Sequence, residues 1–211
     1  MEQRSDEWYK ARLGKITGSG FKDVMTQGRA VKGKPREKWG ATAIKYARQI
    51  VGERRTQQVR RKLKSRQMDH GIEFEEAAVR EYQNRTYNLV RLTGFIDHSE
   101  VPNVGCSPDG LIGLDGYLEI KCPYDQDVHL ERLERPHLPK EYEWQVQGGL
   151  WVTGRKWADF VSYSPDYTGK DQLVIFRVDR DEEKIQALAD RVASFEEEVI
   201  KPIEKRLAGN A

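Results

Sequence analysis

The sequence predicts an α/β fold, a mixed central β-sheet flanked by helices, on three observations. Short strand-like runs separated by Asp-Gly, Pro-Asp and Gly-Lys turn signals recur through the second half of the chain. Segments with apolar residues at three- and four-residue steps surround those runs, so helices have to cover the sheet. The length, 211 residues, suits one domain over 1–211, with a basic part at 1–67 and an acidic core at 68–211.

Charge separates those parts. Residues 1–67 hold 19 Lys and Arg against 6 Asp and Glu, a formal +13, whereas residues 68–211 hold 17 against 28, a formal −11. A basic segment neutralises backbone phosphates and an acidic one can hold divalent cations; an unevenly charged, solvated surface is the simpler reading. No apolar run approaches the ~20 residues of a bilayer-spanning helix, and no signal-peptide stretch opens the chain, so a cytoplasmic protein without a membrane partner is expected. Cys106 and Cys122 form no CxxC pair and read as small buried hydrophobes. His70, His98, His129 and His137 lack ligand spacing and receive no chemistry.

Ser5-Asp6-Glu7 ahead of Trp8 and Leu13 predicts a capped first helix ending near Gly14. Thr17-Gly18-Ser19-Gly20 then opens a short helix carrying Phe21, Val24 and Met25. Residues 27–38 mix glycine, proline and positive charge without a burial pattern and read as a mobile arm. Trp39, Ala43, Tyr46, Ala47 and Ile50 predict a helix ending near Gly52, followed over 53–67 by a loop or exposed helix in which only Val59 and Leu63 could anchor anything. Over 71–82 a helix places Ile72, Glu75 and Val79 on one face, an unusual setting for a carboxylate. Strands are predicted at 90–96, 104–107, 116–122, 158–163 and 173–178. A helix from Pro139 to Gly154 separates the third from the fourth, and a last one runs from Asp181 to Leu207, kinked or broken at Pro202.

The chemistry concentrates between Ser107 and Pro123. Asp109 sits on a turn, while Glu119 and Lys121, two apart on the next strand, project from one face with Ile120 on the other. A hairpin would bring Asp109 to that face, giving two carboxylates suited to a hard cation such as Mg²⁺, with the Ile120 carbonyl as a further oxygen. Lys121 is then left to orient or help deprotonate an attacking water and to offset charge on a phosphate. An edge-strand salt bridge beside an ordinary turn is the bland alternative.

Several separate stretches carry a family resemblance: Arg12-Leu13-Gly14-Lys15-Ile16-Thr17-Gly18-Ser19, Gly71-Ile72-Glu73-Phe74-Glu75, Cys106-Ser107-Pro108-Asp109-Gly110, Leu118-Glu119-Ile120-Lys121-Cys122-Pro123 and Gln145-Val146-Gln147. From Trp8 to about Tyr163 the chain resembles the phage lambda exonuclease-like (YqaJ-type) branch of the PD-(D/E)xK nucleases. Gly18 stands where that branch commonly has alanine. The resemblance implies a restriction-endonuclease-like core and a Mg²⁺-dependent 5′-to-3′ exodeoxyribonuclease. Such an enzyme degrades one strand of linear double-stranded DNA and leaves a 3′ overhang for recombination by single-strand annealing. It implies two Mg²⁺ ions, with Mn²⁺ as a substitute, held by Asp109, Glu119, Glu75 and the Ile120 carbonyl, with Lys121 serving the water and Gln145 helping to position it. Gln147, two residues on, cannot share the face of Gln145.

The same resemblance assigns the 5′-phosphate to the corner of Arg12 and Ser19, with Thr17 beside them, where a serine at a helix start and an arginine suit a phosphate; ordinary capping and a surface salt bridge are the alternative. Trp8 is either a core anchor or a surface for a base at the duplex end. The arm, with Arg29 and Lys34, and the run 54–66 would track the duplex backbone by charge. A ring-shaped homotrimer, an annealing-protein partner and a phage or prophage origin in a bacterial cell are likewise implied. A restriction- or repair-type endonuclease would differ by cutting closed circular DNA. Against a non-catalytic DNA-binding subunit stand the intact Asp109, Glu119 and Lys121. Two cysteines cannot supply an iron–sulfur cluster.

Overall fold

A computed structural model describes residues 2–59 and 65–209. The chain begins with α1 (Asp6–Arg12), β1 (Ile16–Thr17), a 3₁₀ turn at Gly18–Gly20, α2 (Phe21–Val24), α3 (Ala41–Thr56) and α4 (Arg66–Thr86). It continues through β2 (Val90–Arg91), β3 (Ile96–Asp97), β4 (Val104–Cys106), β5 (Gly110–Ile112), β6 (Gly116–Lys121), α5 (Gln126–Glu134) and α6 (Glu143–Thr153). Last come β7 (Trp157–Tyr163), β8 (Leu173–Asp179), α7 (Glu182–Phe195), a π-helical turn at Glu196–Ile200 and α8 (Lys201–Ala208).

Five strands form a mixed sheet in the order β2-β5-β6-β7-β8, with β6 and β7 parallel and the other neighbours antiparallel. The parallel pair needs a long crossover, which α5 and α6 provide. A second, three-stranded sheet has the order β1-β4-β3. Strand alternation gives the large sheet two apolar faces. Tyr117, Ala158, Phe160 and Val178 pack with Val146 and Leu150 of α6 and Ile185 of α7; Leu118, Ile120 and Val161 pack with Ala78, Val79 and Tyr82 of α4. A third cluster joins Phe21, Ile50, Val104 and Phe195.

Local chemistry explains the helix ends. Ser5 Oγ accepts from Trp8 N at 3.2 Å, and α1 terminates before Gly14, whose φ of +67° glycine adopts readily. A Cβ at Gly14 would also lie 2.5 Å from Arg54 Cγ, so this position excludes a side chain twice over. Ser65 caps α4 through Met68 N, which starts that helix five residues ahead of the expected 71. Gly52 lies inside α3, which continues to Thr56 and closes on a left-handed Gln57. The last helix is interrupted as expected: the π turn precedes α8, whose first turn contains Pro202, where the missing N–H is tolerated.

Other expectations are corrected. The strand expected over 90–96 is two short strands in different sheets, parted at Thr93-Gly94; β1, β5 and α5 were not anticipated. Within the run 54–66, Arg54 is committed to the fold: it donates to Glu196 at 2.7 and 3.1 Å, to Glu204 at 3.2 Å and to the Gly14 carbonyl at 2.8 Å. Residues 60–64 of that run, including Leu63, lie outside the described residues. The 27–38 segment is irregular and largely exposed, closed at its base by Gly28 N donating to the Glu37 carbonyl at 2.9 Å. Both cysteines are free and buried. Among the described residues, no helix is long and apolar enough to cross a membrane.

Phe195 is fully buried and touches Trp39 and Tyr46, tying α7 to the N-terminal elements. Phe195→Ala is expected to destabilise the fold by about 3–5 kcal/mol, read as a lower urea midpoint at unchanged slope. A midpoint equal to the wild type would contradict this account of the packing.

Candidate active site

The β5–β6 hairpin builds the site. Gly110 pairs with Leu118, and Asp109 N donates to the Leu118 carbonyl at 3.1 Å, so Asp109 stands opposite Glu119 just beyond the last pair. Directly opposed antiparallel residues project to one face, and Lys121, two residues on, shares it. The α6 helix covers this face and the α4 helix the other, and the two reach the strand end from opposite sides. Gln145 of α6 donates to Glu119 Oε1 at 2.5 Å. Glu75 of α4 lies close enough to Asp109 to disfavour its ionisation.

Each carboxylate has one oxygen tied to a donor. Asp109 Oδ2 accepts from Ile120 N at 2.6 Å, Glu119 Oε1 from Lys121 Nζ and Gln145, and Glu75 Oε2 from Arg4. Among the described residues, no donor reaches Asp109 Oδ1, Glu119 Oε2 or Glu75 Oε1. The N–H and C=O of one extended residue point to the same side, so the Ile120 carbonyl faces the side of Asp109, beyond the end of β5.

Electrostatics follow from this crowding. Burial raises the Asp109 pKa well above the usual carboxylate range, and Glu119 and Glu75 add to it against the opposing pull of Lys121. Burial works against the Lys121 ammonium, but Glu119 and Asp109 outweigh it and hold its pKa above the ordinary lysine value. The neighbouring Cys122 thiol is pushed up to about 12, by burial first and then by Asp109. Among the described residues, no three His, Cys, Asp or Glu side chains are drawn together as a ready chelate. The donor set nevertheless fits a hard divalent cation: three carboxylates, each with an oxygen to spare, and a carbonyl in a place where ionisation is penalised.

A cavity of about 120 Å³ opens beside Glu119, with Trp8, Arg12, Ser19, Ser107 and Gln145 in its wall. Arg12 lies across the Trp8 ring, 4.0 Å from its centroid, and donates to Ser107 Oγ at 3.1 Å; Trp8 Nε1 donates to the same oxygen at 2.9 Å. Among the described residues, no carboxylate reaches Arg12 within ion-pair distance, and burial lowers its pKa below the usual value. A largely enclosed guanidinium that no described carboxylate meets in a direct ion pair, with Glu53 acting on it only at longer range, faces a small cavity and suits an anion. A larger cleft of about 500 Å³ adjoins it, bordered by Arg4, Lys15, Met68 and Ile72.

The structure joins Glu119 to Lys121 and Gln145 by hydrogen bonds, sets Asp109 opposite Glu119, places Glu75 near enough to act on the Asp109 charge, and lines the adjoining cavity with Arg12, Ser19, Trp8 and Ser107. Gln147 points elsewhere, donating to the Asp179 carbonyl and accepting from Asp181 N. Ser19 does not cap a helix: it is exposed within the 3₁₀ turn, and α2 is a single turn with no side-chain cap. The polar wall of this cavity therefore consists of side chains rather than a helix N-terminus. Thr17 is buried, its N–H donating to Tyr46 Oη at 3.0 Å, and borders the larger cleft. Trp8 is half-buried under Arg12 rather than a core anchor. Arg29 and Lys34 are exposed on the irregular segment and line neither cavity. Ile72, expected on the buried stripe of α4, is 41% exposed at the cleft. Two contributors carried no sequence signal, Gln3 and Arg4, and Ser107 stood in a quoted motif without a role of its own.

Residues 7–156 match the model of the YqaJ-like viral recombinase domain. An alkaline exonuclease from Laribacter hongkongensis (LHK-Exo) has a closely similar structure: 32% identity, TM-score 0.85, coverage of 98% of this chain and 100% of that one. The same enzyme in complex with dAMP matches with identical figures. A phage-related exonuclease from Haemophilus somnus 129PT shares the fold at 13% identity and TM-score 0.67, over 94% and 99% of the two chains. No curated protein matches the sequence significantly. The mixed sheet with its carboxylate-bearing hairpin is thus that of a nuclease, and more narrowly an exonuclease of the alkaline type. The chain belongs to the YqaJ-like viral recombinase domain family.

Folding raises the Asp109 pKa, so the folded chain retains a proton that the unfolded chain loses, and stability declines as pH rises from the unfolded carboxylate range. Asp109→Asn, which cannot ionise, is expected to melt higher than the wild type in chelator at mildly alkaline pH, with the gap narrowing on acidification. Equal or lower melting at alkaline pH would contradict the crowding described.

Proposed function

We propose that the chain is a divalent-cation-dependent 5′-to-3′ exodeoxyribonuclease that removes nucleotides from the 5′-ended strand of linear double-stranded DNA, leaving a 3′ overhang for single-strand annealing. The adjacency of two unlike sites at Glu119 carries this reading: carboxylate oxygens without a donor among the described residues, and the cavity lined by Arg12. A cutting site next to an anion pocket suits a substrate that presents a terminal phosphate. The dAMP complex of the Laribacter hongkongensis enzyme supports a mononucleotide product.

Asp109, Glu119, Glu75 and the Ile120 carbonyl would hold the cation, Mg²⁺ in this reading with Mn²⁺ as substitute, and two such ions would supply charge stabilisation for the attacking and leaving oxygens at phosphorus. Lys121, hydrogen-bonded to Glu119, orients the attacking water or helps to deprotonate it and offsets charge on the phosphate. Gln145 holds Glu119 in place. Arg12, with Ser107 and Ser19, receives the 5′-phosphate, and the ring of Trp8 backs the guanidinium. Exposed cations of the 27–38 segment, Arg29 and Lys34 among them, follow the duplex backbone by charge alone. In this reading one domain acts in a ring-shaped homotrimer with an annealing-protein partner, phage- or prophage-encoded, in the bacterial cytoplasm.

Linear duplexes carrying a 5′-phosphate or 5′-hydroxyl, labelled at either end, test the reading with Mg²⁺ and with chelator. Digestion should start from the 5′ end, require the cation, and vanish in Asp109→Ala. Arg12→Gln should reduce the advantage of the phosphorylated end roughly tenfold or more, the worth of a charge-assisted hydrogen bond. Comparable cutting of closed circles, or an active Asp109→Ala protein, would overturn it.

A further inference from the structure

Residues 2–5 form a short strap that runs beside the carboxylates, ahead of the segment that the family model matches. Gln3 Nε2 donates to two backbone carbonyls on separate loops, Pro108 at 2.8 Å and Thr93 at 3.1 Å. Pro108 immediately precedes Asp109, so the strap is pinned to the hairpin that carries the site. On its other side Ser5 caps α1, and its hydroxyl donates to the Glu2 carbonyl at 2.9 Å. Arg4, between these anchors, has a φ of +69°, a left-handed conformation that a non-glycine residue adopts at a cost. Its side chain turns to Glu75 and engages Oε2 alone.

This repeats what the other two carboxylates show. Ile120 N ties one oxygen of Asp109, Gln145 ties one oxygen of Glu119, and Arg4 ties one oxygen of Glu75; in each case the second oxygen is left over. A partner on one oxygen fixes a ligating carboxylate without removing it from the ligand set. We propose that Arg4 is a positioning residue for Glu75, delivered by the Gln3-anchored strap, and that the strap completes the cation-binding carboxylate set. The inference rests on Glu75 being a cation ligand. Simple charge neutralisation makes the opposite prediction: a guanidinium beside a cation site repels the cation, so its removal would tighten binding.

Binding of Mg²⁺ to the full chain without DNA, followed by titration calorimetry, decides between them. Wild type should bind, and Glu75→Gln should weaken that binding. Arg4→Ala is expected to weaken it about tenfold, the usual effect of losing a partner of a metal-ligating group, with Arg4→Lys restoring part of the loss. Gln3→Ala changes no charge and should weaken binding in the same direction. In turnover, Arg4→Ala should lose kcat at limiting Mg²⁺, recover it at high Mg²⁺, and keep the KM for DNA. Unchanged or tighter Mg²⁺ binding by Arg4→Ala, with Glu75→Gln still impaired, overturns the strap proposal and leaves the cation site standing. No Mg²⁺ binding by wild type, or none lost in Glu75→Gln, overturns the role of Glu75 and the strap with it.

Discussion

Asp109 and Glu119 face each other across the end of the β5–β6 hairpin, and Glu75 reaches the same place from α4, so three carboxylates share a region where burial already penalises charge. Nothing in a stability argument favours such a cluster. The fold tolerates it because a donor meets each group: a backbone amide, a glutamine with a lysine, and an arginine. These donors reduce the repulsion without cancelling it, and they leave oxygens facing outward. Cost to stability and capacity to hold a cation are one property of the arrangement.

The sheet makes the convergence possible. Alternation along β6 sends Tyr117, Glu119 and Lys121 to the α6 side and Leu118 and Ile120 to the α4 side, so apolar neighbours anchor both faces of the strand that bears the charges. Glu119 is thereby held at 4% exposure while its partner Lys121 stays half-open. Helices on opposite faces then contribute Gln145 and Glu75 to the same strand end. The adjoining cavity uses different material: Arg12 and Trp8 from α1 and Ser107 from the turn leading to Asp109. The turn at 107–109 joins the two halves of the site, since Ser107 serves the pocket, Asp109 the carboxylates, and Pro108 between them carries a strap anchor.

How far the sequence could be read depended on distance along the chain. Two-residue alternation placed Glu119 and Lys121 on one face, and a hairpin was expected to add Asp109; the strand that pairs with β6 is β5, not the expected run at 104–107, which lies in the other sheet as β4. Glu75 and Gln145 arrive from remote helices, so periodicity showed only that a carboxylate sat oddly on a stripe, and a family resemblance had to choose between neighbours. The α5 helix escaped notice because its pattern is inverted: His129 and Arg132 are buried around Ser162, while Val128 and Leu130 are 36% and 45% exposed. Arg54 looked like part of a nucleic-acid-binding run until Glu196 and Glu204, more than 140 residues away, claimed it. Arg4 and Gln3 precede the first periodic segment, and their roles exist only through tertiary contacts.

The central claim is that the spare oxygens of these carboxylates meet on one divalent cation. Anomalous diffraction from crystals soaked in Mn²⁺ tests it most directly. A manganese peak about 2.1 Å from Asp109 Oδ1 and Glu119 Oε2, with Glu75 and the Ile120 carbonyl turned to the same ion or its immediate neighbour, is the predicted result. A manganese peak bound elsewhere, with Asp109 Oδ1 and Glu119 Oε2 left without an ion, would contradict it.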